Sequence, residues 1–326
     1  MADNLTMLRR QAQVRALQTR SILGISMADP VDVYSAIQKQ RLWLLFEPLD
    51  GLFGMYQRQS AAAGVVLNVK VHPALQRYTA AHELGHHIMG HELGLDPQEN
   101  ITSWSHLGRQ ELEAQMFAAE FLMPLAAVNN AAAALGIQTG TADEMAVYQL
   151  SLRLRTSYTA MVNQLQTFRW FGRAEANQLR KIQPKTLKER LRGGPSDDAR
   201  PDVWLVTNRK SQSSIAPLVG DEVIFDFEET PSTGYRWEPQ FPASLTVEAD
   251  HFVPPPKVNG QPRIGGAGRR QLQVAITEPK AATAVFLLRR KWEANNPADK
   301  IEVALQAGER PQAGVAPAQQ LALLAG

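Results

Sequence analysis

Two histidines four residues apart, His82 and His86, with Glu83 between them, place the tightest demand on how this chain folds. On an α-helix, positions i and i+4 project from one face, one turn apart. Two neutral imidazoles at that spacing can share one zinc ion. Glu83 points about 100° around the helix, where a carboxylate can reach a metal-activated water without ligating. Six of the seven histidines lie between His72 and His106. The chain has no cysteine, so thiolate ligands, disulfides and cysteine nucleophiles are excluded. Any metal must be held by His, Asp or Glu. Zinc is the expected cofactor, although such donors suit several metals.

The third ligand sets the subclass. The pattern H-E-x-x-H-x-x-G-x-x-H would need glycine and histidine where this chain has Met89 and Glu92; Gly90 and His91 are each displaced by one. The alternative is a carboxylate from a later helix. Glu111, Glu113 and Glu120 are candidates; Glu113 and Glu120, seven apart, share a face that Glu111 does not share well. A second pair, His87 and His91, is also four apart but lacks an intervening glutamate, and reads as surface residues or supports for the ligands.

Around this core, Leu5, Leu8, Val14, Leu17 and Ile22 stand at approximate helical spacing. Asp29-Pro30 predicts an N-cap opening a short helix through Lys39. Leu42 to Phe46 and Gly64 to Val71 are rich in β-branched and apolar residues, with Asp50-Gly51 as a turn between them, and predict a small sheet. The strand Gly64–Val71 precedes the metal-site helix, either as an edge strand that aligns a substrate by backbone pairing or as an ordinary core strand. A helix follows Pro73 through about Gly90, and another spans about Arg109 to Leu122, closed by Pro124. Residues 125–193 read as helical and 194–202 as a linker. Val203–Val206, Val223–Phe227, Leu272–Ile276 and Ala284–Leu288 predict an all-β second domain. The Ala-, Gln- and Pro-rich tail from Pro311 is expected to be disordered.

Net charge is only +2 over 326 residues, which demands neither nucleic acid nor an anionic membrane. Met1–Arg20 is polar, carries four arginines and has no apolar h-region, so a cytoplasmic location is expected. The region 151–192 differs from the rest. It holds ten Lys/Arg (Arg153, Arg155, Arg169, Arg173, Arg180, Lys181, Lys185, Lys188, Arg190, Arg192) against Glu175 and Glu189, a net of 10 − 2 = +8. Residues 148–165 have the form of a helix-turn-helix with its turn near Arg155–Ser157. The two features together allow a DNA-binding reading beside that of a packing element with a solvated basic face.

Arg77-Tyr-Thr-Ala-Ala-His-Glu-Leu-Gly-His86, followed by Glu111-Leu-Glu-Ala-Gln-Met-Phe-Ala-Ala-Glu-Phe-Leu-Met-Pro124, resembles the ImmA/IrrE family of metallo-endopeptidases over about residues 10–165. The resemblance implies a zincin-like α+β peptidase domain with a helical, HTH-like extension. It implies zinc ligands at His82, His86 and Glu113, Glu83 as general base, and a substrate among transcriptional regulators. Gln115 stands where asparagine is usual. Tyr78, Tyr148 and Tyr158 are candidates for oxyanion stabilisation.

The stretch Gly220-Asp-Glu-Val-Ile-Phe-Asp-Phe-Glu-Glu-Thr-Pro-Ser-Thr-Gly-Tyr-Arg-Trp237, with Gly265–Gly268 and Arg290-Lys291-Trp292, is similar to the chagasin family of cysteine-peptidase inhibitors. It implies an all-β, immunoglobulin-like sandwich whose loops place Thr233, Gly234, Gly266 and Trp292 against a protein partner. Lys291 replaces the family's proline, altering rigidity and charge. Tyr235 and Trp237 can instead be core aromatics. The expected organisation is 1–135 peptidase domain, 136–193 helical HTH-like region, 194–202 linker, 203–310 β-sandwich and 311–326 tail. The expected activity is zinc-dependent cleavage of a regulatory protein, with an appended recognition domain. The alternatives are a cysteine-peptidase inhibitor or protein-binding module, and a DNA-binding regulator.

Overall fold

The computed structural model describes residues 2–59, 62–91, 108–195, 198–207, 212–256, 265–293 and 296–310. The chain divides into two compact units whose boundaries cross the linear order. One contains Met1–Ala131 and Arg153–Ala176, the other Ala132–Leu152 and Asn177–Arg310. The helical stretch 136–193 therefore contributes to both. The tail from Pro311 lies outside the described residues.

The first unit is α+β. Helix α1 (Ala2–Ile22) is helical where its spacing predicts, but only part of the predicted set turns inward: Leu8 is buried with Ala12, Ala16, Thr19 and Arg20, Leu17 is half-buried, and Leu5, Val14 and Ile22 are exposed. Small alanines let α1 lie close on its neighbours, a contact that a search for large apolar residues overlooks. Helix α2 (Val33–Lys39) starts three residues later than Asp29-Pro30 suggested, because Asp32 is the N-cap, accepting from the amides of Tyr34 and Ser35. Arg20 is fully buried and donates to the carbonyls of Phe121, Ser26 and Asp29. Burial lowers its pKa to about 10, so it stays charged at neutral pH.

Three strands, not two, form the sheet: β1 (Trp43–Glu47), β2 (Gly54–Gln59) and β3 (Ala62–Asn68), in the order β1-β3-β2. β1 runs parallel and β2 antiparallel to β3. β3 is thus the central strand, paired on both sides, and cannot offer a free edge to a substrate; Val65, Val66 and Leu67 are buried as that position requires. Helix α3 (Pro73–Met89) and helix α4 (Arg109–Leu122) follow the predicted bounds. By length and composition alone, residues 109–135 are apolar enough to cross a membrane. The helix ends at Leu122 before Pro124, however, and Glu113, Gln115 and Glu120 are buried inside the protein.

The second unit centres on a β-sandwich. Its sheets have the orders β4-β6-β9-β8 and β5-β11-β10-β7. The strands are β4 (Val203–Thr207), β5 (Gln212–Ile215), β6 (Glu222–Glu229), β7 (Arg236–Gln240), β8 (Leu245–Val253), β9 (Gly268–Ile276), β10 (Ala281–Arg289) and β11 (Asp299–Gln306). Phe225, Phe227, Trp237, Leu272, Phe286 and Val303 fill the space between the sheets. The immunoglobulin-like description is an approximation of this arrangement. Strand β4 lies at a sheet edge, and Gln149 occupies its open side: the amide nitrogen donates to the Val203 carbonyl and the amide oxygen accepts from the Leu205 N–H, each at 2.9 Å. A side chain here does what a neighbouring strand would do.

Candidate metal centre

α3 begins at His72, whose ring nitrogen accepts from the Ala74 N–H, and has proline at its first turn. It ends on Gly90 at φ +71°, a left-handed conformation suited to glycine. Between these stops the helix buries His82, Glu83, Leu84, Gly85 and His86. Gly85 sits in the turn between the two histidines, and a Cβ there would stand 3.1 Å from Phe117 Cδ1 and 3.3 Å from the Ala114 backbone. α3 and α4 can approach this closely only because both residues are small. That approach brings carboxylates of α4 to the histidine face.

The carboxylate that arrives is Glu111. Its oxygens lie 3.2 Å from His82 Nε2 and 3.5 Å from His86 Nε2, and the two Nε2 atoms are 3.1 Å apart. Donors about 2.0–2.1 Å from a tetrahedral zinc stand about 3.3 Å from one another. The His82–His86 separation and the approach of one Glu111 oxygen to each histidine lie near that value, so the residues fit the ion in chemistry and approximate spacing. His82, His86 and Glu111 are the metal-competent group among the described residues.

Glu113, the ligand that the resemblance implies, is not in this donor group. Its carboxylate is buried but committed elsewhere: Oε2 lies 3.0 Å from His91 Nε2 and Oε1 accepts from Arg109 Nε at 3.0 Å. Two residues along a helix means about 200° of rotation, so both cannot meet one point. Glu120 faces Gln13, at 3.4 Å. His91 is also 3.0 Å from His86, Nδ1 to Nδ1, and burial holds its pKa below the ordinary histidine value, with the neighbouring His86 adding to the effect. His87 turns the other way, 2.9 Å from the Tyr56 hydroxyl. His106 and Glu92 lie outside the described residues.

Two of the three candidate tyrosines have hydroxyl partners other than the donor residues. Tyr78 donates to the Gln115 carbonyl at 3.2 Å, and burial pushes its phenol far above the ordinary range. Tyr148 donates to Asp202 and accepts from the Val203 N–H in the other unit. Tyr158 is buried in the first turn of its helix.

Four of the ten cations of the basic stretch stand in ion pairs. Lys188 pairs with Asp202 at 2.8 Å and Arg192 with Glu222 at 2.7 Å, both cations nearly buried; Arg190 pairs with Glu144 and Lys185 with Glu189. The surplus counted along the sequence is therefore smaller as a surface charge. The helices Glu144–Arg153 and Tyr158–Thr167 flank a turn in which Arg155 takes φ +53°.

In the sandwich, the three glycine- and aromatic-bearing loops meet. Pro231–Thr233 forms a short 3₁₀ turn, and Gly234 follows at φ +80°. A Cβ on Gly234 would lie 2.6 Å from the Trp292 ring. The Arg290 guanidinium lies 4.3 Å from the Tyr235 ring centroid and donates to the Thr233 carbonyl, and Ser232 donates to the Gly265 carbonyl. Gly266 is half-buried, while Thr233 and Lys291 are exposed. The two aromatics of the motif divide: Trp237 is core, 1% exposed, and Tyr235 belongs to the loop cluster. Trp292 is 71% exposed.

Comparison with known proteins finds one family for each of the two regions. Residues 38–165 match the family described as the IrrE N-terminal-like domain, a peptidase family, and residues 218–306 match the chagasin family of peptidase inhibitors. The chain is thus similar over one part to a peptidase family and over another to the chagasin family. No curated protein matches it. Among solved structures, a cysteine protease inhibitor from Entamoeba histolytica is 18% identical, with 34% of this chain and 99% of that one covered and a TM-score of 0.31. Amebosin is 19% identical, with 34% and 99% covered and a TM-score of 0.27. PbICP-C, solved in complex with falcipain-2, is 14% identical, with 32% and 98% covered and a TM-score of 0.25.

Proposed function

We propose that the IrrE-type domain of this chain is a zinc-dependent endopeptidase, with His82, His86 and Glu111 as metal ligands and Glu83 as general base. The observation that carries this is the meeting of two buried imidazole nitrogens, 3.1 Å apart, with one carboxylate, whose Oε2 lies 3.2 Å from His82 and whose Oε1 lies 3.5 Å from His86. Zinc held there would supply Lewis acidity, lowering the pKa of a water and polarising the scissile carbonyl. The residues do the rest. His82 and His86 present Nε2 from one helix face, and Glu83, on the same turn, takes a proton from the attacking water and returns it to the leaving amine. Burial of Glu83 keeps that proton from exchanging with bulk solvent. A protein substrate, a regulator in the expected cytoplasmic setting, would be held by an extended segment. β1 and β2, at the sheet edges, are the strands placed to pair with it.

The test is a trap. Glu83→Gln keeps the ligands and removes the base, so substrate binds and is not cut. Proteins co-purifying with wild type and variant from native extract are compared by mass spectrometry. A protein enriched on the variant and cleaved by wild type supports the reading; identical partner sets with no cleavage count against it.

The loop cluster favours a second role for the sandwich as a protein-binding module. Exposed Trp292, with half-buried Arg290 and Tyr235 beside it, forms an aromatic and cationic surface of the sort that anchors partners. Titrating a papain-like peptidase with the full chain tests the narrower inhibitor reading; unchanged peptidase activity at micromolar chain would oppose it. The DNA reading loses support from the ion pairs of Lys188, Arg190 and Arg192.

A further inference from the structure

His86 is held at both of its ring nitrogens. Nε2 faces the donor triangle, and Nδ1 lies 3.0 Å from Nδ1 of His91. A neutral imidazole has one donor nitrogen and one acceptor nitrogen. For His86 to present a lone pair at Nε2, its proton must sit on Nδ1, where it can be given only to an acceptor. His91 Nδ1 must then be unprotonated, which puts the His91 proton on Nε2. That nitrogen is 3.0 Å from Glu113 Oε2, an acceptor, and the other Glu113 oxygen accepts from Arg109 Nε at 3.0 Å. The network has one self-consistent direction: Arg109 and His91 donate to Glu113, and His86 donates to His91.

The backbone builds this contact. α3 stops at Gly90 in the left-handed conformation, and the His91 N–H returns to the His86 carbonyl at 3.0 Å. The reversal places the His91 ring 4.9 Å from the His86 ring, centroid to centroid, at 73°. The one-residue displacement of Gly90 and His91 from the longer zinc pattern thus has a consequence: His91 lies behind the ligand instead of joining it.

We propose that His91, backed by Glu113 and Arg109, is a positioning residue that fixes the His86 proton on Nδ1 and its lone pair on the metal face, and so raises metal affinity without ligating. The proposal rests on the ligand set His82, His86 and Glu111. Ligand histidines commonly donate their second nitrogen to a carboxylate or carbonyl; here a second imidazole is interposed, and it passes the carboxylate's influence on.

Zinc affinity of the full chain, measured by competition with a chromogenic chelator, tests this, with the melting temperature of the metal-free protein recorded for each variant. Expected are a loss of roughly 10–100-fold for His91→Phe and about 10-fold for Glu113→Gln, with metal-free melting little changed. His91→Asn, which puts an amide oxygen where Nδ1 stands, should recover much of the loss. Glu111→Gln should lose more than any of these. If His91→Phe binds zinc as wild type does while Glu111→Gln does not, the relay is overturned and the ligand set stands. If His91→Asn is no better than His91→Phe, the effect is one of packing and the relay is again overturned. If Glu113→Gln loses as much as His82→Gln and Glu111→Gln loses nothing, Glu113 is itself the ligand and both readings fall.

Discussion

The metal-site helices and the loop cluster of the sandwich present their chemistry in opposite ways. In the first, the functional groups are buried and are held by the approach of two helices at Gly85 and Ala114. In the second they lie at the surface, Trp292 exposed and Tyr235 half-buried, and are held by backbone turns, by Gly234 under the Trp292 indole, and by Arg290 against Tyr235. A buried polar site depends on packing, because any shift leaves charged groups unpaired in a low dielectric. An exposed loop site depends on conformation, because water solvates whatever the loops release. Substitutions in the two regions should therefore fail differently.

Among the tryptophans of the sandwich, Trp237 and Trp292 give the largest contrast. Trp237→Ala empties a core position 1% exposed and should cost about 3–5 kcal/mol. Trp292→Ala removes a ring 71% exposed and should change stability by about 0.5 kcal/mol or less, while weakening any partner held by the loops. Denaturant titration of both variants checks the pair; equal losses would merge the two regions into one structural class.

Metal should act on one region alone. Zinc at a free concentration 100-fold above its dissociation constant adds about 2.7 kcal/mol to the state that binds it. Calorimetry with and without chelator should move the transition of the first unit and leave the sandwich transition in place. A shift of both by the same amount would show that the units unfold together.

Gly85→Val tests the packing argument more directly. Added atoms would press on Phe117 and the Ala114 backbone, costing about 1–3 kcal/mol and weakening zinc binding by moving Glu111 from the histidines. Thermal denaturation and chelator competition would both report it. Unchanged zinc affinity would mean that helix separation does not control the donor triangle.

The smallest effect lies on the sandwich surface. Two hydrogen bonds from Arg270 hold the Asp250 carboxyl below its ordinary value of 3.8. A depressed folded-state pKa contributes stability above the unfolded value, and that contribution is lost as pH falls through the folded one. For so exposed a pair it amounts to about 0.5 kcal/mol. Asp250→Asn should flatten the loss of stability below about pH 4 by that amount, measured as denaturation midpoints across acid pH.

Much of this was legible because it is local. The bounds of α3 and α4 were readable from Pro73, Gly90 and Pro124, and the histidine pair from a four-residue period. Where the signal was weaker, other forces decided. β2 was missed because Gly54–Gln59 is polar and short, and its pairing with β3 supplies what its residues do not. The buried face of α1 is only partly visible in its large apolar residues, because alanines pack as tightly as leucines. Gln149 gave no sign that it would close the β4 edge, since a side-chain amide becomes a strand mimic only once the backbone it pairs with is in place.

The two carboxylates of α4 mark the boundary between the two kinds of information. The sequence by itself determined that His82 and His86 share a face, that any metal there must be bound by nitrogen and oxygen, and that a carboxylate from a later helix was needed. It also determined the motifs by which the two domains are known. Which carboxylate arrives was decided only by tertiary structure. Glu111 and Glu113 are two residues apart, and helical rotation separates them whatever their neighbours are. The crossing of α3 and α4 at Gly85 and Ala114 sets which one faces the histidines, and the turn at Gly90 gives the other to His91. Those contacts join residues more than twenty positions apart, and no period within one helix encodes the angle at which it meets another.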